Sequence, residues 1–290
     1  MSKIEKALKR AATERHLALV PASASKQSPV SEERALMPAA GASTALELQA
    51  RARSSAAIAL MRESTPKKTN ELAERRIIFP EMGENPTVKA FREVRTKILQ
   101  ATQGRNCVLM VTSVTGDSGT TFVALNLSSA FAFDEGKTAL LFDCNLRNPR
   151  LHLLFKEHAV SGLTDYLENP TMDVGDIIHP VGIERLRVIP AGGRREIPAE
   201  YFTSVRMKGL LDSVRARYPE RFIILDSPPM TESADTQILA DLCDYVILVV
   251  PYGTVTQAQI DDCVKGLDRK KLLGIVFNNE PQVPKFGRRR

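Results

Sequence analysis

Residues 111–127 read VTSVTGDSGTTFVALNL, and this stretch decides the fold. The run CVLMVT (107–112) is short, apolar and β-rich, while TTFVALNLSSAFAF, from Thr120 onward, has a helical pattern. Between them SVTGDSG is a turn. Strand, turn and helix N-terminus form the setting of a phosphate-binding loop of the form G-x-x-x-x-G-K-[ST]. Gly116 and Gly119 let backbone amides approach a phosphate closely, and the helix dipole favours an anion there. Thr121 occupies the place of the hydroxyl that ligands Mg²⁺, but Thr120 stands where the motif has its lysine. A threonine donates one neutral hydrogen bond and brings no charge. Charge-assisted bonds are roughly twice as strong as neutral ones, so phosphate affinity is expected to fall and transition-state stabilisation to fall further. The candidate ATP-binding residues are Gly116, Asp117, Ser118, Gly119, Thr120 and Thr121.

Outward from this loop the chain alternates. TALLF (138–142) reads as a second strand, followed by the polar break DCNLRNPR. LRVIPAG (186–192) reads as a third strand and residues 199–217 as a helix; RFIILD (221–226), YVILVV (245–250) and LLGIVFNN (272–279) complete the set. Upstream, PTVKAFREVRTKILQAT is a helix with Pro86 near its first turn and Phe91, Val94, Ile98 and Leu99 as an apolar stripe. Apolar strands without in–out alternation, separated by helices, predict a parallel sheet covered on both faces. The expected class is therefore α/β, a doubly wound, mostly parallel sheet of about 200 residues.

In such sheets ligands bind outside the carboxyl ends of the strands. Asp143 ends the second strand, with Asn145 and Arg147 beyond it, and Asp226 ends another strand ahead of Pro228 and Pro229. Either aspartate alone would read as a strand-end turn residue. Two at strand ends, downstream of a degenerate phosphate loop, favour a nucleotide site. Asp143, Arg147 and Asp226 are the candidate catalytic residues, with Thr121 and Asp226 as Mg²⁺ ligands wherever nucleotide binds.

The rest of the chain sets the context. Its 290 residues carry a formal charge of +6, too small a balance to indicate nucleic acid as a partner. Residues 1–20 place Ile4, Ala7, Leu8 and Ala11 at helical spacing between basic side chains, an amphipathic helix suited to a membrane surface or a partner. PASASKQSPVSEERALMPAAGASTA (21–45) reads as a flexible linker, and ALELQARARSSAAIALMRES as a second helix before the polar break TPKKTN. The expected organisation is an N-terminal helical and partly disordered extension over 1–75, an α/β domain over 76–282 and a basic tail over 283–290. The four cysteines, at 107, 144, 243 and 263, form no C-x-x-C pair, which indicates a reducing cytosol. MSKIEKALKR lacks the apolar core of a signal peptide, and YVILVV is far too short to span a bilayer.

The segments VLMVTSVTGDSGTTFVALNL, LLFDCNLRNPRLHLLF and FIILDSPP, together with GLTDYL (162–167) and GIVFNN (274–279), resemble the cytoplasmic domain of bacterial tyrosine kinases of capsule and exopolysaccharide systems. MSKIEKALKRA is similar to the start of stand-alone members. The resemblance covers roughly residues 85–280 and implies a P-loop fold of the MinD/ParA type, ATP and Mg²⁺ as cofactors, and a role in surface-polysaccharide assembly or export. It also implies a membrane polysaccharide co-polymerase or chain-length determinant as partner, a homo-oligomeric state, and a cytoplasmic location at the inner face of the plasma membrane through that partner. Four positions depart from the family pattern. The Walker A lysine falls on Thr120, and the second aspartate of D-x-D-x-R is Asn145. The oligomerisation motif E-x-x-R-x-x-R reads Lys89, Arg92 and Arg95, and no tyrosine cluster closes the chain, whose last tyrosine is Tyr252. The expected function is thus a regulatory or scaffolding P-loop protein with impaired catalysis. The alternative is an active tyrosine kinase or weak ATPase that takes its cation from Arg147, Lys137 or a neighbouring subunit. A partition-type ATPase is disfavoured, because its additional lysine is missing from Ser113, Val114 and Thr115.

Overall fold

The computed structural model describes residues 66–155 and 160–279, and the backbone of 19–21. The basic amphipathic stretch up to residue 18, the linker, the second helical stretch and the closing arginines lie outside the described residues.

Eight strands form one sheet in the order β1-β8-β7-β2-β6-β3-β5-β4. The parallel strands are β2 (Val108–Ser113), β3 (Thr138–Asp143), β5 (Leu186–Ile189), β6 (Arg221–Asp226), β7 (Tyr245–Pro251) and β8 (Leu272–Asn278). Each sits where an apolar run predicted it. The two edges are antiparallel and short: β1 (Leu19–Pro21) on β8, and β4 (His179–Pro180) on β5. Neither edge strand was legible from the sequence. Leu19 and Val20 close a helical pattern yet pair with the open edge of β8, because an unpaired edge offers hydrogen bonds that a helix end lacks. Pro21 and Pro180 are tolerated because both lie on edge strands.

Along β2 successive side chains enter opposite cores. Leu109 and Val111 pack with α2 (Pro86–Ala101) and α3 (Thr120–Ala132) through Phe91, Val94, Ile98, Val123, Leu127 and Phe131. Val108 and Met110 join the other layer, with α6 (Val205–Arg217), α7 (Asp235–Leu242) and α8 (Gln257–Lys265). Both faces are therefore buried, which is why the strands read as continuous apolar runs. Three short helices complete the set: α1 (Thr69–Glu74), α4 (Leu163–Glu168) and α5 (Ala199–Phe202). The helix expected over 199–217 is thus two, parted at Ser204, whose hydroxyl accepts from Met207 N and caps α6. Leu72 on α1 is buried in the core, three residues before the boundary drawn at 75–76.

Asn126 ties the segment before α2 to α3. Its Oδ1 accepts from Ile78 N at 2.7 Å, and its Nδ2 donates to Arg76 O at 3.1 Å and Phe122 O at 3.0 Å. Leucine here would strand the buried Ile78 N–H, so Asn126→Leu is expected to cost about 2 kcal/mol. A urea-unfolding midpoint unchanged from the wild type would refute that role.

Candidate nucleotide site

β2 ends at Ser113, and the chain turns through Gly116–Gly119 into α3. Gly119 has φ +81°, a left-handed conformation that favours glycine, and an added Cβ would lie 2.2 Å from Asn278 Nδ2. That amide donates to Ser118 O at 2.9 Å and locks the loop to the end of β8. The Ser118 hydroxyl bonds back to Thr115 O at 2.6 Å. The loop so fixed delivers the start of α3 with no side-chain cap, leaving its first amides for an anion. The loop shape expected from the two glycines is present, with Thr120 as the first residue of the helix.

Parallel register gathers the carboxylates. Asp143 of β3 lies directly opposite Asp226 of β6, and Asp226 is opposite Val111 of β2. Both aspartates are buried. Asp143 accepts from the amides of Arg150 and Leu151, each at 2.9 Å, and of Asn145 at 3.3 Å. Burial nevertheless pushes its carboxyl up to about 6, against the pull of those amides. Asp226 is pushed well above the usual carboxylate range, chiefly by burial and then by the charge of Asp143, with a hydrogen bond from Thr121 acting the other way. Its Oδ2 has no hydrogen-bond partner. A buried, unpartnered carboxylate oxygen beside a threonine hydroxyl is a donor set that fits Mg²⁺. Thr121 and Asp226 would hold the ion, which would supply positive charge to bound phosphates.

The cleft over the loop has a volume of about 460 Å³. Asn145, Asn148, Arg150, Ser227 and Glu232 join Gly116–Thr121 in its lining. Arg147 and Lys137 do not. Arg147 pairs with Asp235 at 3.1 Å. Lys137 sits before β3, at the far end of the sheet, with Nζ on Gly104 O at 2.9 Å and above the Phe222 ring. Five lining or bracing residues escaped the sequence reading: Asn148, Arg150, Ser227, Glu232 and Asn278. Arg150 is the one cation among the described residues that line the cleft. Glu232 Oε1 accepts from Gly116 N at 2.9 Å. Arg150 and Asn278 fall inside the quoted segments DCNLRNPR and GIVFNN, whereas nothing in the sequence pattern marks Glu232.

On the outer face of α2, Lys89 and Arg92 line a shallow depression of about 520 Å³ with Glu84 and Glu93. Arg95 instead turns inward and donates to Ala130 O at 2.9 Å. Among the described residues no helix is long and apolar enough to cross a membrane, and the four cysteines are buried and unpaired.

No protein-family model matches the chain. The tyrosine-protein kinase CpsD of Streptococcus agalactiae serotype III is 32% identical over 197 residues, which cover 66% of this chain and 82% of CpsD. The chain belongs to the bacterial tyrosine kinase family. EpsB of Ralstonia solanacearum is 31% identical over 229 residues, 77% of this chain, but the chain spans only 29% of EpsB. Among solved structures, the kinase domain of the Escherichia coli tyrosine kinase ETK superposes with a TM-score of 0.63 at 25% identity, covering 79% of this chain and 88% of that one. The BceF tyrosine kinase domain gives 0.60 at 26% identity, covering 76% and 93%. Thr120 and Asn145 therefore stand inside a tyrosine-kinase fold.

Proposed function

We propose that this chain serves surface-polysaccharide assembly as a binding component and transfers no phosphate to tyrosine. The observation that carries this reading is the charge at the phosphate loop. Position 120 offers a hydroxyl where the family motif has an ammonium, and the two cations named as substitutes are committed to Asp235 and to Gly104. Asn145 in place of the second Walker A′ carboxylate removes a base that a tyrosine hydroxyl would need. The names of relatives support the setting, since one is a tyrosine-protein kinase in a cps region of Klebsiella pneumoniae. The partner on this reading is a membrane polysaccharide co-polymerase or chain-length determinant. It would hold the protein at the cytoplasmic face of the membrane through the N-terminal basic stretch or the outer face of α2.

A second reading, a weak ATPase or kinase, draws support from Arg150 in the cleft. Turnover separates the two. Incubated with ATP and Mg²⁺, the purified protein is expected to release no ADP and to show no phosphotyrosine by mass spectrometry, on itself or on a tyrosine-containing polymer. ADP release or phosphotyrosine above a no-protein control would overturn the proposal. In the same samples Thr120→Lys is expected to tighten ATP binding at least tenfold, a gain of ~1.4 kcal/mol that one charge-assisted bond can supply.

A further inference from the structure

The cleft has lost its lysine and still carries the rest of an anion site. The start of α3 has no side-chain cap on its first amides, and the buried Asp226 Oδ2 next to Thr121 has no hydrogen-bond partner. Two charged side chains then stand in unequal positions on its walls. Arg150 has its backbone fixed, because its amide donates to Asp143 at the end of β3, yet its side chain forms no ion pair among the described residues. Glu232 is placed against the loop itself, its carboxylate on the amide of Gly116 and 2.6 Å from where a Cβ on that glycine would lie. The segment carrying Glu232 is laced to the end of β2: Thr112 Oγ1 donates to Pro228 O at 2.8 Å, Met230 N to Ser113 O at 2.8 Å, and Thr231 Oγ1 to Val114 O at 2.6 Å. A few residues on, the same segment holds Arg147 through Asp235.

We propose that the Arg150 guanidinium is the phosphate cation of this cleft and the Glu232 carboxylate a built-in competitor for the Gly116 amide. This rests on the reading of the chain as a binding protein, and names a further binding residue and an internal control of that same cleft. A guanidinium presents a planar fork of donors that matches phosphate oxygens, so one arginine rooted at the strand end can stand in for a helix-borne ammonium in holding an anion. It stands beyond the end of β3 and not on the first turn of α3, where the motif has its lysine, so it can hold a phosphate without aligning it for transfer. Glu232 is itself an anion on a loop amide. A phosphate that takes this amide must move the carboxylate aside.

The test is calorimetric titration of the full-length protein with ADP and with ATP, each with Mg²⁺, and with inorganic pyrophosphate. It is run in the wild type and again in the Thr120→Lys background, where affinity is within easy reach. Arg150→Ala is expected to weaken binding at least fivefold in both backgrounds, and Glu232→Gln to strengthen it about threefold or more. Arg150→Lys should recover part of the loss, which a role in loop packing alone would not show. Unchanged dissociation constants for Arg150→Ala, or weaker binding by Glu232→Gln, would overturn the assignment. So would a wild type that takes up none of the three ligands. None of these outcomes depends on turnover, so the inference and the proposed lack of phosphoryl transfer fail separately: ADP release with an Arg150-dependent affinity would sink only the latter.

Discussion

Gly162→Ala is expected to destabilise the protein by about 4 kcal/mol, although glycine and alanine differ by one methyl group. The position opens α4 in the segment GLTDYL, with an extended backbone that any residue can adopt. What forbids a side chain is space. A Cβ there would lie 2.2 Å from Gly192 N, 2.3 Å from Pro190 O and 2.8 Å from the Ala191 carbonyl carbon. These are backbone atoms, so no flexible side chain can swing away. The closeness is itself bonded: Leu163 N donates to Pro190 O at 2.8 Å and Thr164 N to Ala191 O at 2.9 Å. Separating the two segments to admit a methyl group would stretch both bonds, each contributing about 1 kcal/mol, on top of about 2 kcal/mol of overpacking strain. The disturbance would also travel toward the cleft, because Arg195, just beyond the crowded loop, donates its amide to Leu146 O at 2.9 Å, between Asn145 and Arg147. Chemical denaturation measures the cost directly. A loss under about 1 kcal/mol would show that the two backbones can part freely.

That pairing marks the limit of the sequence as a guide. Parallel strands buried on both faces write themselves as unbroken apolar runs, so β2, β3, β6, β7 and β8 were readable within a residue, and β5 ran three residues short of the expected 186–192. The turn between β2 and α3 was readable because glycines at 116 and 119 have few other uses between a strand and a helix. Edge strands β1 and β4, of three and two residues, carry no periodicity, because so short a pairing depends on the neighbour and not on the segment. The candidate site divides in the same way. Asp143 and Asp226 were legible as strand ends, and the register between β3 and β6 brings them together. Arg147 was legible as a motif position, but its partner, Asp235, lies 88 residues away. Glu232 on Gly116 spans 116 residues, and such a contact exists only after the strand order is fixed. Distance along the chain, more than burial, separates what could be read from what had to be seen.

The same strand ends set the largest pH effect. Asp143 and Asp226 both bind a proton more tightly in the folded chain than in the unfolded one, since burial raises both carboxyls and the charge of Asp143 raises Asp226 further. A carboxyl raised by folding favours the folded state most below its unfolded value, near pH 4, and that advantage is lost as pH rises through the folded value. For Asp143, raised from 3.8 to about 6, the loss amounts to about 2 kcal/mol between pH 4 and pH 7. Asp226, raised further, extends the decline to higher pH. Asp226→Asn removes the more strongly raised carboxyl, while its carbonyl can still accept from Thr121. The variant is therefore expected to match the wild type near pH 4.5 and to exceed it by about 2 kcal/mol or more at pH 8. Urea unfolding at both pH values checks this, and an equal difference at the two would show that the carboxylates do not repel in the folded protein. Adding ATP with Mg²⁺ at pH 8 should reverse the ranking, since a cation held by Thr121 and Asp226 converts the repulsive pair into a ligand set that asparagine cannot complete. A gain in stability paired with a loss of that ligand response would identify Asp226 as a residue that opposes folding and serves binding.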